Sequence, residues 1–224
     1  RNPLIRARDL PYLANAVLNA GAVDLGEDAD PYAAGQGELN AVAVWGGRQS
    51  VAQGEFNNPR NVAIGPDGSV YVADSGNHRI QKFSADGEFM TAWGHMCKMY
   101  EAMEGCQSPD GAGGFYDPWG IAVDADGYVY VADTWNHRVQ KFTSDGEYVT
   151  MWGAHGVAET AAGAQGLFWG PRDVAVDRDG LVYVSDTGNK RIQVFAADGT
   201  FVAQFGGKGA LDGQMDEPVG IAIA

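Results

Sequence analysis

The chain has 224 residues, 45% of them hydrophobic, and a formal net charge of −14. A surface this acidic repels phosphate, so we expect no nucleic-acid partner, which would need clustered Lys and Arg. No apolar run approaches the roughly 20 residues that a membrane-spanning helix requires. The 32 glycines accompany frequent turns and are not a sign of disorder.

The first 38 residues differ from the rest of the chain. Residues 9–23 carry apolar side chains at helical spacing, with Asp9 as N-cap and Pro11 in the first turn. Residues 24–37 have the composition of a linker. The pattern predicts a short helix that packs on the following domain, or one that connects it to an upstream domain, including a membrane one, because three arginines precede it.

Three segments of equal length, 59–94, 118–153 and 171–206, share one pattern without a gap, and a fourth copy begins at Pro218. Repetition on this scale is typical of propellers and solenoids. Each copy contains four short runs rich in Val, Ile, Tyr and Phe, which predict β-strands. In the first copy these runs are 61–64, 70–73, 79–83 and 89–93.

An Asp-Gly pair lies between strands one and two and again between strands three and four of every copy, as at Asp67-Gly68 and Asp86-Gly87. Asp accepts local backbone hydrogen bonds, and Gly takes the positive φ of a tight hairpin. A calcium loop would need several oxygen ligands that converge on one point. We therefore interpret these pairs as turns.

The segments VADSGNHRIQKF, VADTWNHRVQKF and VSDTGNKRIQVF resemble the NHL repeat, named after an Asn-His-Leu-type triplet. Here the triplet is Asn77-His78-Arg79, Asn136-His137-Arg138 and Asn189-Lys190-Arg191. The resemblance covers residues 45–224. It implies an all-β fold, a β-propeller of four-stranded antiparallel blades that is usually six-bladed, with about four blades represented here.

The two ends of the repeat region predict an incomplete propeller. Residues 39–46 end in Trp45-Gly46 and resemble a fourth strand, whereas 218–224 resemble a first strand with nothing after it. We expect residues 1–38 to form the helix and linker, and residues 39–224 to hold three full repeats plus partial blades. The chain would then be a fragment, an ordered part of a longer polypeptide, or a propeller closed by another chain, including a second copy.

Two sets of loops emerge on one face of a propeller: those that follow the fourth strands, and those between strands two and three. Variable loops on a rigid scaffold are where binding usually resides. This face is the predicted site for a protein, small-molecule or glycan ligand. Some aromatic residues there, such as Phe168, recur before the repeat's Pro and also fit a core role. The candidate contacts are Arg60, Trp119 and Arg172 near the central channel, with Trp135, Tyr116 and Trp169 around them.

Both cysteines lie in the segment HMCKMYEAMEGC. A Cys97–Cys106 disulfide would pin the longest insert and indicates an oxidising compartment. The competing interpretation is a Cu(I) site, because the segment also offers imidazole and thioether ligands. We predict the disulfide and neither a metal nor a cofactor.

Among the NHL-like propellers that this chain resembles, the peptidyl-amidoglycolate lyases hold zinc with histidines placed just after the repeat's Pro. The residues at those positions are Arg60, Trp119, Arg172 and Val219, and no Ser-His-Asp set or phosphate loop is visible. The sequence thus favours a non-catalytic binding or assembly propeller, secreted, periplasmic or at the cell surface, within a larger membrane-associated protein. The alternative is an NHL-like lyase or hydrolase whose catalytic and metal residues lie outside this chain.

Overall fold

The computed structural model describes residues 49–101, 103–157 and 164–223. The helix, linker and strand expected within residues 1–46 lie outside these ranges. In the part of the chain that is described, no helix is long and apolar enough to cross a membrane.

Three four-stranded antiparallel sheets follow one another along the chain, each with its strands in sequence order. The first contains β1 Pro59–Ile64, β2 Val70–Asp74, β3 Arg79–Phe83 and β4 Phe89–Trp93. The second contains β5 Pro118–Val123, β6 Val129–Asp133, β7 Arg138–Phe142 and β8 Tyr148–Trp152. After the short parallel pair β9 Ala154–His155 and β10 Leu167–Phe168, the third contains β11 Asp173–Val176, β12 Val182–Asp186, β13 Arg191–Phe195 and β14 Phe201–Gly206. The predicted all-β architecture is confirmed.

The turn between β5 and β6 shows why Asp and Gly recur. Asp124 Oδ1 accepts hydrogen bonds from the backbone N–H groups of Asp126 and Tyr128, at 3.0 and 2.8 Å. Gly127 has a φ of +85°, a conformation that costs glycine little. The other oxygen of Asp124 accepts from the Tyr130 hydroxyl at 2.9 Å. These bonds use both oxygens of the carboxylate within one turn, which fits the structural interpretation.

One buried network recurs in each of the three blades that the structure describes. In the second, Asp133 Oδ2 accepts from Arg138 Nε at 2.7 Å, from Asn136 Nδ2 at 3.0 Å and from Gln140 Nε2 at 3.1 Å. All four side chains are buried. A carboxylate out of water needs such donors. Equivalent networks centre on Asp74 in the first blade and Asp186 in the third.

The network also holds the chain that leads into each blade. Arg138 Nη2 donates to the carbonyls of Gly111 and Gly114, 27 and 24 residues earlier. Arg79 and Arg191 make the same two bonds at the same separations, to Ala52 and Glu55 and to Ala164 and Leu167. We call residues 52–58, 111–117 and 164–170 the lead-in segments. They belong to the blades, so the variable part of each connection is shorter than expected.

Apolar side chains fill the space between neighbouring blades. Phe115 and Phe168, from the second and third lead-in segments, are fully buried. Trp93, at the end of β4, lies against Gly146 in the next blade, where an added Cβ would fall 2.5 Å from the indole. Trp152 meets Gly199 in the same way, at 2.8 Å. The repeat therefore specifies the packing between blades as well as the blade itself.

The inner strands β1, β5 and β11 lie side by side at the axis around which the blades are arranged. Gly120 on β5 permits this approach, because a Cβ there would fall 2.5 Å from Asp173 Cα. Asn61 Nδ2 on β1 donates to Asp173 Oδ1 on β11 at 3.0 Å. Residues at the start of these strands are thereby brought together.

The predicted first strand of the fourth copy does not form a strand in its described part, residues 218–223. This segment instead lies along the third blade, where Ile221 N donates to Asp173 Oδ2 at 2.8 Å and Thr187 Oγ1 donates to Pro218 O at 2.6 Å. A strand needs a ladder partner, and the contacts of this segment with the third blade do not form a ladder.

Candidate binding face

Arg60, Trp119 and Arg172 occupy equivalent positions at the start of three successive inner strands. The guanidinium carbon of Arg60 lies 4.2 Å from the centre of the Trp119 ring, and that of Arg172 lies 4.6 Å from it. Arginine over an indole is a favourable cation–π arrangement. These three candidate residues therefore form one array.

Asp117 joins this array to its surroundings. Its Oδ2 accepts from the indole N–H groups of both Trp119 and Trp135, at 3.2 Å each. Its own backbone N–H donates to His78 Nδ1 of the previous blade at 3.1 Å. One carboxylate thus fixes two of the predicted aromatic contacts.

Beside Trp135 lies a shallow cleft of about 410 Å³. Tyr100 and Trp135 are 56% and 41% exposed. The Tyr100 oxygen accepts from the His155 backbone N–H at 3.0 Å, which leaves its own proton free to donate to a ligand. The cleft is lined by Tyr100, Glu101, Tyr116, Trp135, His137 and His155.

His137 is the buried wall of this cleft, and its ring centre lies 4.6 Å from that of His155. Burial, with a smaller effect from His155, lowers the pKa of His137 to about 4, so its imidazole is neutral at physiological pH. Its Nδ1 accepts from Gly170 N–H at 2.9 Å, which places the remaining proton on Nε2. A protonated nitrogen donates a hydrogen bond and does not ligate a metal.

His78, the histidine of the first repeat triplet, makes the same kind of hydrogen bond as His137. His78 Nδ1 accepts from Asp117 N–H, and His137 Nδ1 accepts from Gly170 N–H. Both residues adopt the left-handed conformation, with φ of 54° and 56°. The triplet's His is therefore a link from one blade to the next, and Lys190 replaces it in the third copy, where Lys190 Nζ lies 3.4 Å from Asp216 Oδ1.

Disulfide Cys97–Cys106 closes the loop that carries Tyr100. Cys97 is fully buried, its carbonyl accepts from Asn136 Nδ2 at 2.8 Å, and Met99 N donates to Asn136 Oδ1 at 3.0 Å. The predicted disulfide is thus present, and the Cu(I) interpretation loses its two thiols.

Trp169 does not join the other candidates. Its ring lies against Gly188, where an added Cβ would fall 2.6 Å from the indole, and its backbone N–H donates to Asp186 Oδ1 at 2.8 Å. It remains 44% exposed, so it extends the face beside the third blade.

Sequence reasoning missed Tyr100, His137 and His155. The repeat pattern predicts a structural role for His137, and its Nδ1 has that role. The pattern does not predict that the same ring lines the cleft. Tyr100 and His155 come from two different connections, and only the fold brings them together. The sequence feature that could have identified Tyr100 and His155 is their position in variable segments, outside the lead-in segments.

Possible metal ligands form no large cluster in the described residues: no group of three or more His, Cys, Asp or Glu side chains there is arranged to hold a metal ion. The positions after the repeat's Pro are filled by the Arg60, Trp119 and Arg172 array and by Val219. What this face offers is aromatic surface, hydrogen-bond donors and two guanidinium groups.

Comparison with known proteins identifies the class. The NHL repeat family model matches residues 56–83, 115–142 and 168–195. The chain is 30% identical over 163 residues to human NHL repeat-containing protein 3, covering 71% of this chain and 41% of that protein. The chain therefore belongs to the NHL-repeat β-propellers.

Two further proteins are similar to this chain, one in sequence and one in fold. A probable peptidyl-alpha-hydroxyglycine alpha-amidating lyase of Caenorhabditis elegans is 36% identical over 95 residues, covering 42% of this chain and 27% of the lyase. Hydrazine synthase of Kuenenia stuttgartiensis has a similar fold, with a TM-score of 0.50, 12% identity and coverage of 74% and 39% of the two chains. The chain spans less than half the length of each of these proteins.

Proposed function

We propose that this chain is a non-catalytic binding and assembly propeller that holds a segment of a protein partner on its loop-bearing face. The observation that carries the proposal is the cleft in which Tyr100 and Trp135 present exposed aromatic surface. Clustered exposed aromatic residues mark interaction sites, and Tyr and Trp are enriched at their centres. Their hydrogen bonds to His155 N and to Asp117 hold these rings in place before any ligand arrives.

The form of the cleft favours a protein segment over a small molecule. Small-molecule sites enclose most of the ligand surface, whereas this cleft is shallow and leaves Tyr100 and Trp135 56% and 41% exposed. Its donors, the Tyr100 hydroxyl and His137 Nε2, suit the carbonyl and side-chain oxygens of a peptide.

The disulfide supports a location outside the cytoplasm, because such bonds persist in oxidising compartments. A secreted, periplasmic or cell-surface protein, of which this chain is one domain, fits that chemistry. Membrane association of that larger protein, and assembly through a second copy of the propeller, are part of the same proposal.

Capture of partners by variants tests the proposal. The purified chain is immobilised and exposed to extract from its native compartment, in parallel with the Tyr100→Ala/Trp135→Ala variant and with Tyr128→Ala. Tyr128 is a matched control because it lies in a separate cleft, beside the turn between β5 and β6. A partner retained by the wild type and by Tyr128→Ala, but lost from the double variant, supports the proposal. Equal retention by all three proteins overturns it.

The likeness to the amidating lyase favours a second candidate, a lyase or hydrolase whose catalytic and metal residues lie outside this chain. Its test is metal content and lyase activity of the longest protein that contains these residues. Stoichiometric zinc with turnover of a hydroxyglycine peptide would establish the enzyme. A metal-free, inactive protein that still captures its partner would rule out the enzyme and support the binding function.

A further inference from the structure

Two positively charged side chains contact one indole ring on the candidate face of an acidic protein. Arg60 and Arg172 both lie over the Trp119 ring, although the chain carries a formal net charge of −14. Like charges held near one another repel, and a bound anion reduces that repulsion. The electrostatics of the array therefore favour an anionic ligand.

The donors of Arg60 are unused. Its Nε is buried without a hydrogen-bond partner, and no ion pair of its guanidinium occurs among the described residues. A buried donor left unsatisfied destabilises the folded state. A ligand oxygen at this position would supply the missing acceptor.

The nearby carboxylates do not neutralise the array. Arg172 Nη1 is 4.0 Å from Glu217 Oε2, and the Glu217 side chain is largely exposed, so the pair is weak. Asp117 Oδ2 is engaged by the two indoles. Asp173 accepts from Asn61, Val174 N and Ile221 N. Each acid near the array has other donors or faces solvent.

We infer that Arg60 and Arg172 bind a carboxylate of the partner, an Asp or Glu side chain or a C-terminus, with Trp119 as the wall that orients both guanidinium groups. The inference rests on the proposed function and names the chemistry that the partner presents. A planar guanidinium matches a carboxylate with two parallel hydrogen bonds.

The ligand also carries an aromatic or apolar group next to its acid. Asp117 links Trp119 to Trp135, so the anion site adjoins the aromatic cleft. A partner with an acidic residue close to an aromatic one would engage both. The strongly negative remainder of the protein disfavours a polyanion and favours one localised charge.

The test uses a fluorescein-labelled peptide with one Glu beside one Trp and an amidated C-terminus, and a matched peptide in which Gln replaces Glu. We expect salt-sensitive binding of the Glu peptide, and about tenfold weaker binding of the Gln peptide, as expected for a charge-assisted pair. Arg60→Met and Arg172→Met should lower affinity for the Glu peptide by a similar factor. Arg60→Lys should also weaken it, because a point charge cannot stack and fork in this way.

Arg178→Met is the matched control, since Arg178 is an exposed arginine in the turn between β11 and β12. It should bind the Glu peptide like the wild type. Equal affinity for the two peptides, or equal losses for Arg178→Met and Arg60→Met, overturns the inference. Displacement by inorganic phosphate at lower concentration than by acetate also overturns it, because the site would then be a phosphate site. Thermal melting of each variant separates loss of binding from loss of fold.

The two proposals can fail separately. If partner capture depends on Tyr100 and Trp135 while the Glu and Gln peptides bind alike, the binding function stands and the carboxylate inference is wrong. If the Glu peptide binds through Arg60 while the wild type and the cleft variant capture the same proteins, the anion site stands and the proposed function is wrong.

Discussion

Asn61 and Asp173 belong to two blades that are not neighbours in sequence, yet Asn61 Nδ2 donates to Asp173 Oδ1 at 3.0 Å. The bond passes beside β5, the inner strand of the blade between them. Gly120 makes the approach feasible, because its missing side chain leaves room for the Asp173 backbone. The position of Arg172, one residue earlier, depends on the same close approach.

Replacing Gly120 by Ala should therefore destabilise the axis. Its Cβ would fall 2.5 Å from Asp173 Cα and 2.9 Å from Arg172 O, both backbone atoms that cannot rotate away. Overpacking of this kind costs about 1–3 kcal/mol. Gly113→Ala is the control, since its Cβ meets nothing within 4 Å and only its positive φ opposes the change. Urea unfolding should show the larger loss for Gly120→Ala, and the reverse order would contradict this explanation.

The buried ion pair of the second blade should be costly to break. Arg138→Met leaves the Asp133 carboxylate buried without its strongest partner and releases the carbonyls of Gly111 and Gly114. We expect a loss of about 3–5 kcal/mol in the free energy of unfolding. Arg79→Met should cost less, because the Arg79 side chain is 13% exposed and that of Arg138 only 2%. Equal losses in chemical denaturation would show that burial does not set the cost.

The pH dependence of stability should contain two opposed contributions. Burial raises the pKa of Asp173 to about 6, so the folded state keeps a proton that the unfolded chain releases above its usual pKa of 3.8. Stability from Asp173 therefore falls as pH rises from about 4 to 6. The pKa of His137 is lowered to about 4 from 6.5, so the unfolded chain binds a proton that the folded state refuses. Stability from His137 falls as pH drops through that window.

Melting temperatures at pH 7 and 4.5 separate the two. Asp173→Asn should lose more stability than the wild type on acidification, because the His137 contribution is then unopposed. His137→Asn should lose less, and Asn tolerates the left-handed backbone at this position. Burial also lowers the pKa values of His78 and His95, which act in the same direction as His137 and persist in both variants. A shift of the same sign in both variants would refute the assignment.

Reduction of Cys97–Cys106 should loosen one loop and leave the blades intact. Closing so short a loop stabilises by about 2–3 kcal/mol in the chain-entropy model. The backbone bonds of Cys97 to Asn136 and to Phe115 persist without the disulfide, so the change concentrates around Tyr100. Trypsin should cleave after Lys98 faster in reductant, while far-ultraviolet circular dichroism stays constant. Global unfolding on reduction would show that the loop supports the fold.

Much of the fold could be predicted from the sequence because the repeat encodes each strand locally. Strands β3, β4, β7 and β8 begin and end where alternation and Asp-Gly turns place them. The lead-in segments were overlooked, although Gly54, Gly113 and Gly166 stand at the same offset before Arg79, Arg138 and Arg191. The lead-in segments are held by hydrogen bonds from an arginine 24 and 27 residues later, and no local sequence pattern reveals such bonds.

The candidate site was predictable where symmetry carries it. Arg60, Trp119 and Arg172 share one position in the repeat, so a common place near the axis followed from register alone. That two cations would lie over one indole did not follow, because it depends on how closely the inner strands approach. Tyr100 and His155 lie in connections that have no counterpart in other copies, and only the folded chain brings them to one cleft.

The lead-in segments give the connections a freedom that the blades lack. Gly94, before the loop, packs against Phe115, where an added Cβ would fall 2.6 Å from the ring. After the loop, the carbonyl of Gly111 accepts a hydrogen bond from Arg138 Nη2. The loop between them starts and finishes at fixed anchor points, whatever its length or composition. Each doubling of such a loop adds only about 0.6 kcal/mol of closure entropy. The propeller is therefore suited to exchange of its connecting loops, in the way that immunoglobulin frameworks accept new hypervariable segments, and the positions between Cys97 and Cys106 are the natural place for a randomised library.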